Sequence, residues 1–132
     1  MSFSTEVAFF RGKSMATLDK VRRASILELF SMVIDRSPVD TGLFRGNWQT
    51  SVGNPVRSQT TRKDPSGDQA KAEVLANLGG LFDVVWMTNN LDYSEKLEEG
   101  YSAQAPTGVL HASTVAWSRI VAAKARAYAN RR

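Results

Sequence analysis

Residues 37–48 read Ser-Pro-Val-Asp-Thr-Gly-Leu-Phe-Arg-Gly-Asn-Trp, and no other stretch restricts the fold as strongly. Pro38 has no N–H with which to continue a helix and pushes the residue before it out of the α region, so the helix-periodic run upstream must end here. Asp40 and Gly42 bring turn chemistry: a short carboxylate able to accept backbone N–H groups just downstream, and a residue that adopts positive φ without strain. Thr41 is placed to cap a short helical turn over Leu43 to Arg45. From Trp48 onward, Trp48, Thr50 and Val52 alternate with Gln49 and Ser51, the two-residue period of a half-buried strand. The spacing predicts a helix, a sharp corner and a strand, in that order.

Upstream, Ile26, Leu29, Phe30 and Val33 fall at i, i+3, i+4 and i+7, with Met15 and Leu18 continuing the stripe, which predicts a helix from about Ser14 to Arg36. Lys20, Glu28, Ser31 and Asp35 take the opposite side. Leu27 and Ile34, one heptad apart on a flank, either widen the buried face or meet a neighbouring subunit. Residues 1–13 are expected to form a flexible N-terminal arm. Downstream, residues 53–67 are polar and rich in turn formers and read as a mobile loop or hairpin tip. Ser66 and Gln69 make a capping-box pattern before a short helix, Ala70 to Leu78, closed by Gly79-Gly80.

Phe82 to Thr88 reads as an apolar, central strand. Asp92 and Glu95 mark another helix start, with Tyr93 and Leu97 on one face, Glu95, Glu98 and Glu99 toward water, and Gly100 as the C′ residue. Residues 102–108 read as a loop, and a long helix from about Val109 to Asn130 ends the pattern, with Lys124 intruding on its apolar stripe. The fold class predicted is α+β, as a single domain over residues 1–132. Two long helices pack on a small, mostly antiparallel sheet with one or two short helices, and Phe30, Val33, Trp48, Val85, Trp117 and Val121 form the core.

Chemistry is sparse. Cysteine is absent and His111 is the only histidine, which argues against zinc, thiol catalysis and a recognisable triad. The acids Asp92, Glu95, Glu98 and Glu99 lack the ligand alternation of a calcium loop. Gly79-Gly80 lacks the Lys-Ser/Thr of a phosphate loop. No cofactor and no catalytic residue is expected. No apolar run approaches the roughly 18 residues that span a bilayer, and Glu6 interrupts any signal-like start, so a cytosolic protein with no membrane partner is expected.

Charge is segregated along the chain. Residues 1–63 carry ten basic and five acidic groups, residues 64–110 two basic and eight acidic, and residues 111–132 five basic and none acidic. Such a distribution suits identical subunits meeting head to tail, with Arg119 and Arg126 as candidate contacts beside Leu27 and Ile34. A pI near 9.7, a basic last helix, and Arg57, Arg62 and Lys63 on a loop also fit a small nucleic-acid-binding protein.

The corner Pro38-Val39-Asp40-Thr41-Gly42, with Leu43, Arg45 and Trp48, resembles the signature of the neck and tail-completion proteins of tailed bacteriophages. A second block, Tyr93, Leu97, Glu98, Gly100, Ser102 and Gln104-Ala105-Pro106, is similar to that family's segment before the last helix. Gly46 and Asn47 depart from the small residues such as Ala and Ser expected there. The resemblance implies a non-enzymatic virion protein that completes the tail or joins it to the head as one member of a ring, six-fold because tails are. Tail-terminator and head-closure rings are the alternatives. Its implied partners are copies of itself and adjoining neck, tail-terminator or tail-tube proteins, with DNA at most passing through the lumen. It would reside in the virion after assembly in the host cytoplasm. For Pro38, Asp40, Thr41, Gly42, Trp48, Tyr93, Glu98, Gly100, Gln104 and Pro106 the implied role is architectural.

Overall fold

A computed structural model describes residues 2–98 and 109–129. In chain order the elements are α1 (Phe3–Arg36), α2 (Leu43–Gly46), β1 (Gln49–Val52), α3 (Asp68–Ala76), β2 (Val85–Thr88), α4 (Ser94–Glu98), α5 (Leu110–Thr114) and α6 (Trp117–Ala129). The class is α+β: helices dominate, around one two-stranded antiparallel sheet. Gly100, Gln104 and Pro106, and the loop expected over residues 102–108, lie outside the described residues.

Helix α1 is longer than its apolar stripe. At 34 residues it runs about 50 Å. It starts at Phe3 because Ser2 caps it, its side chain accepting a hydrogen bond from the Thr5 N–H, with Glu6 in the first turn. The segment expected as an arm is therefore the first three turns of this helix, and Val7 and Phe9 on it are exposed. The predicted apolar face is borne out at Ile26 and Val33, which join Ile34, Phe44, Trp48, Ala70, Val74, Leu78, Leu91 and Val109 in the core. Phe30 and Val85 pack against that cluster, whereas Trp117 stays partly exposed. Ile34 is fully buried and Leu27 half-buried against the core. Of the two readings of that flank, the wide buried face holds, and Ile34 is not available to a neighbouring subunit.

The corner forms as the residue types predict, with one exchange of partners. Helix α1 ends at Arg36, Ser37 is extended, and Gly42 takes φ +88°. The Leu43 N–H donates to Thr41 Oγ1 at 3.3 Å, the cap expected over the short α2 turn. The carboxylate that ties the turn is not Asp40, which is exposed and takes no hydrogen bond among the described residues. It is Asp64, 2% exposed. Its N–H donates to the Gly42 carbonyl at 3.0 Å and its Oδ2 accepts the Ala70 N–H at 2.9 Å. One residue thus locks the corner to the first turn of α3 and replaces the expected Ser66–Gln69 box; Ser66 Oγ accepts only the Asp68 N–H.

Residues 53–67 have no regular structure, but side chains hold them down. Asn47 is fully buried; its Nδ2 donates to the Leu43 and Thr60 carbonyls, and its Oδ1 accepts the Thr60 N–H. Thr88 Oγ1 and Asn90 Nδ2 donate to the Val56 carbonyl, and Gln49 Nε2 to that of Ser58, so the loop lies across the outer face of the sheet. Arg62 donates to the Gly46 and Trp48 carbonyls and pairs with Glu73 at 3.1 Å. Arg62 is thereby structural, not a phosphate contact. Both departures from the resemblance are explained here. A Cβ at Gly46 would run into the Arg62 carbonyl, and Asn47 is the anchor of the loop.

The strands pair with Thr50 opposite Met87 and Val52 opposite Val85. Thr50 and Met87 face the core, whereas Trp86 and Thr88 face the covering loop. The outer edge of β1 is closed, since its Thr50 N–H donates to Glu73 Oε1 at 2.8 Å. The register and the Gly53 N–H bond to the Val84 carbonyl turn the N–H and C=O groups of Val85 and Met87 to the other side of β2. Among the described residues nothing hydrogen-bonds them there. Among the described residues β2 is thus an edge strand and not the central strand expected. It also starts later than Phe82, because Gly79 at φ +65° and the Asp83 carboxylate, accepting the Gly80 N–H, bend residues 79–83 into a turn. Phe82 is left 84% exposed and Val84 58%.

The last helix is broken at Val115–Ala116 into α5 and α6. Ser113 and Thr114 bond their hydroxyls back to the Val109 and His111 carbonyls, and the β-branched pair Thr114-Val115 adds crowding. Helix α6 packs along α1, burying Ile120, and Lys124 reaches Glu28 on α1 at 3.8 Å. Helix α3 packs on both α1 and β1. Replacing Asp64 with Ala should cost about 2 kcal/mol of stability through a lost cap and an orphaned buried N–H. Replacing Asp40 with Ala should change it by less than about 0.5 kcal/mol. Urea unfolding of the two variants checks the assignment.

Candidate functional site

The corner and the segment around Tyr93, remote in sequence, meet in space. Phe44 is the hinge pin. Its ring stands edge-on to Trp48, with centroids 5.7 Å apart, and lies 6.0 Å from the ring of Tyr93 at a 39° tilt. Trp48 is itself fixed by a 2.6 Å bond from its Nε1 to Ser37 Oγ, which donates in turn to the Val33 carbonyl. The three rings therefore run from the capped end of α1 out to the surface.

Asn89 secures the Tyr93 side. Its Nδ2 donates to the Phe44 carbonyl at 2.9 Å, while its Oδ1 accepts the Leu91 N–H and lies 3.0 Å from the Ser94 hydroxyl. Arg45 secures the other side by donating to the carbonyls of Asp35, Ser37 and Pro65. A cation at the carbonyl end of α1 also offsets the negative pole of that helix.

Between these clamps lies a recess of about 290 Å³, lined by residues 38–44 with Tyr93 and Leu97. Its floor is apolar and aromatic; Asp40 supplies the charge. Partial burial, and after it the Asp40 charge, push the Tyr93 phenol above its usual pKa, so the hydroxyl stays protonated at neutral pH. Asp40 and Tyr93 thus present an acceptor carboxylate and a neutral phenol beside stacked rings. Thr41 adds an exposed hydroxyl.

Glu98 does not face water as expected. Its carboxylate accepts the backbone N–H groups of Val109, Leu110 and His111 at 2.9, 2.6 and 2.8 Å, capping α5 from the preceding helix. Partial burial raises its pKa, but the His111, Leu110 and Val109 donors, with the charge of His111, outweigh that and hold it below the ordinary carboxylate value. Among the described residues no three His, Asp or Glu side chains gather as metal ligands, and no helix is long and apolar enough to cross a membrane.

A second concavity, an open groove of about 420 Å³, lies between α1, α6 and residues 81–85, with Leu18, Leu81, Trp117 and Val121 on its walls. Arg119 and Arg126 are exposed on α6. Of the residues singled out from sequence, the structure brings together Pro38, Asp40, Thr41, Gly42 and Tyr93 at the recess, with Trp48 behind it and Glu98 just beyond Leu97. Asp64 and Asn89 escaped notice, and the anchoring roles of Asn47 and Arg62 with them, because most of their partners are set by the path of the loop and not by local spacing. The local signal was the choice of short polar side chains at positions where apolar periodicity lapses. Compared with family models, curated proteins and solved structures, the chain matches none.

A carboxyl held below its unfolded pKa contributes stability that is complete above about pH 4.3 and is lost as pH falls through the lowered folded value. Glu98→Gln should therefore cost about 1 kcal/mol at pH 7, and the gap to the wild-type chain should close on acidification below pH ~4. Thermal melts from pH 7 to pH 3 read this directly.

Proposed function

We propose that the protein is a non-catalytic subunit of the neck or upper tail of a tailed bacteriophage, a tail-completion protein that works as one member of a homo-oligomeric ring, six-fold to match the tail. The observation carrying this reading is that two sequence blocks resembling that family, the 38–48 corner and the Tyr93–Glu98 segment, form one packed unit through Phe44 and Tyr93. Their residues act as architecture: they set the angle between α1 and the sheet, and Glu98 caps α5.

Surfaces suited to adhesion support it. An open β2 edge, a sheet of only two strands, and exposed Phe82, Val84 and Trp86 are what a subunit needs if neighbours complete its sheet and cover its apolar residues. The segregation of charge along the chain fits a head-to-tail joint. Tail-terminator and head-closure rings would use the same surfaces.

Purified chain at high concentration should form annular particles visible by negative stain, and Phe82→Asp should abolish them while leaving the monomer melt unchanged, since that side chain is almost wholly exposed. In a phage encoding it, deletion of the gene should leave filled heads and separate tails. Normal infectious particles after deletion, or tight salt-sensitive binding of monomers to generic duplex DNA in place of rings, would overturn the reading.

A further inference from the structure

We propose that the recess at the helix–strand corner is a receptor for an arginine side chain on α6 of a second copy of this chain, and that this contact is the head-to-tail joint between subunits. The inference rests on reading the chain as a ring subunit and names the residues of the joint.

The recess has the chemistry that recognises a guanidinium. Asp40 is exposed with no hydrogen bond among the described residues, so its carboxylate is free to accept two parallel N–H donors. The exposed Tyr93 ring, backed by the buried Phe44, offers a face on which a planar cation stacks, and the Tyr93 and Thr41 oxygens add acceptors. An ammonium would use the charge but not the planar fit. At about 290 Å³ the recess sits at the lower limit of small-molecule sites, roughly 300–1,000 Å³, and suits a single side chain. The upward push of Asp40 on the Tyr93 pKa is what two groups sharing one recess should produce.

The donor face is on α6. Ile120 is buried and Lys124 is already paired with Glu28, which fixes the side of α6 that meets α1. Arg119 and Arg126, seven residues apart, share the opposite side and have no acidic partner among the described residues. Ala122 and Ala123 between them are exposed and small, which lets another surface come close.

Within one chain donor and receptor do not meet. Among the described residues no ion pair joins Asp40 to Arg119 or Arg126. The arginines therefore need the recess of another copy. Charge agrees locally: Asp40 is the charged group of the recess, and residues 111–132 carry five basic groups and no acid.

Charge exchange tests the joint in the full-length chain. Asp40→Arg, and separately Arg119→Asp with Arg126→Asp, should each weaken self-association at low salt by at least about tenfold in sedimentation velocity, with unchanged monomer melts. The chain carrying all three changes should recover most of it, and Arg57→Asp, elsewhere on the surface, should have no effect. Association equal to wild type in either reversed chain, or no recovery in the combined one, overturns the proposal. If rings persist through those reversals, the ring reading stands and only this joint falls. A wild-type chain that remains monomeric at every concentration removes both.

Discussion

A 34-residue helix ends in carbonyl groups that no further turn can satisfy, and Pro38 forbids another turn. The answer to that problem organises the molecule. Arg45 returns from α2 to donate to the carbonyls of Asp35 and Ser37, and Ser37 Oγ donates back to Val33 while accepting the Trp48 indole. Because Arg45 and Trp48 lie on the far side of the corner, satisfying the end of α1 also fixes the direction in which β1 departs. Local backbone accounting and tertiary direction are here one event.

The same economy explains the long loop. A two-stranded sheet is marginal alone. Here, residues 53–67 cover one face while α3 and α1 cover the other, and Arg62 with Glu73 closes the β1 edge. A chain segment without helix or strand is thereby as structural as either. What it requires is close approach, hence Gly46 beneath Arg62, and buried polar anchors whose hydrogen bonds are all made, hence Asn47.

Local features were legible in the residues: the apolar stripe from Ile26 to Val33, the Pro38 stop, positive φ at Gly42, the Thr41 cap, and strands near Trp48 and Met87 in a mostly antiparallel sheet. What escaped reading depends on partners distant in sequence. Asp40 and Asp64 are equally good turn carboxylates by residue type, and only the path of the returning loop selects Asp64. Glu98 looks solvent-facing by helical spacing, because the N–H groups it caps begin at Val109, beyond the reach of any local window. Helix α1 begins at Phe3, well before the Ser14 start that the periodic run implied, because the Ser2 cap fixes its first turn. For the recess the case is intermediate: motif wording marked both of its walls, whereas their meeting through Phe44 is a fact of packing.

Stiffness at the corner bears directly on the proposed assembly. Subunits joined by a donor on one face and a receptor on another close into a ring only if each step turns by the right angle, and otherwise continue as an open helix. For a six-membered ring the turn is about 60°, so an error of a few degrees per joint accumulates around the circle. The receptor lies on the corner and the donor on α6, so the angle of each step is set by how α6, α1 and the corner are held together. Those connections are fixed by Ile120 buried beneath α6, Arg45 and Ser37 at the end of α1, and Asp64 tying Gly42 to α3. This ordering lies along the line between the two proposed surfaces, which is where a closing ring would need it.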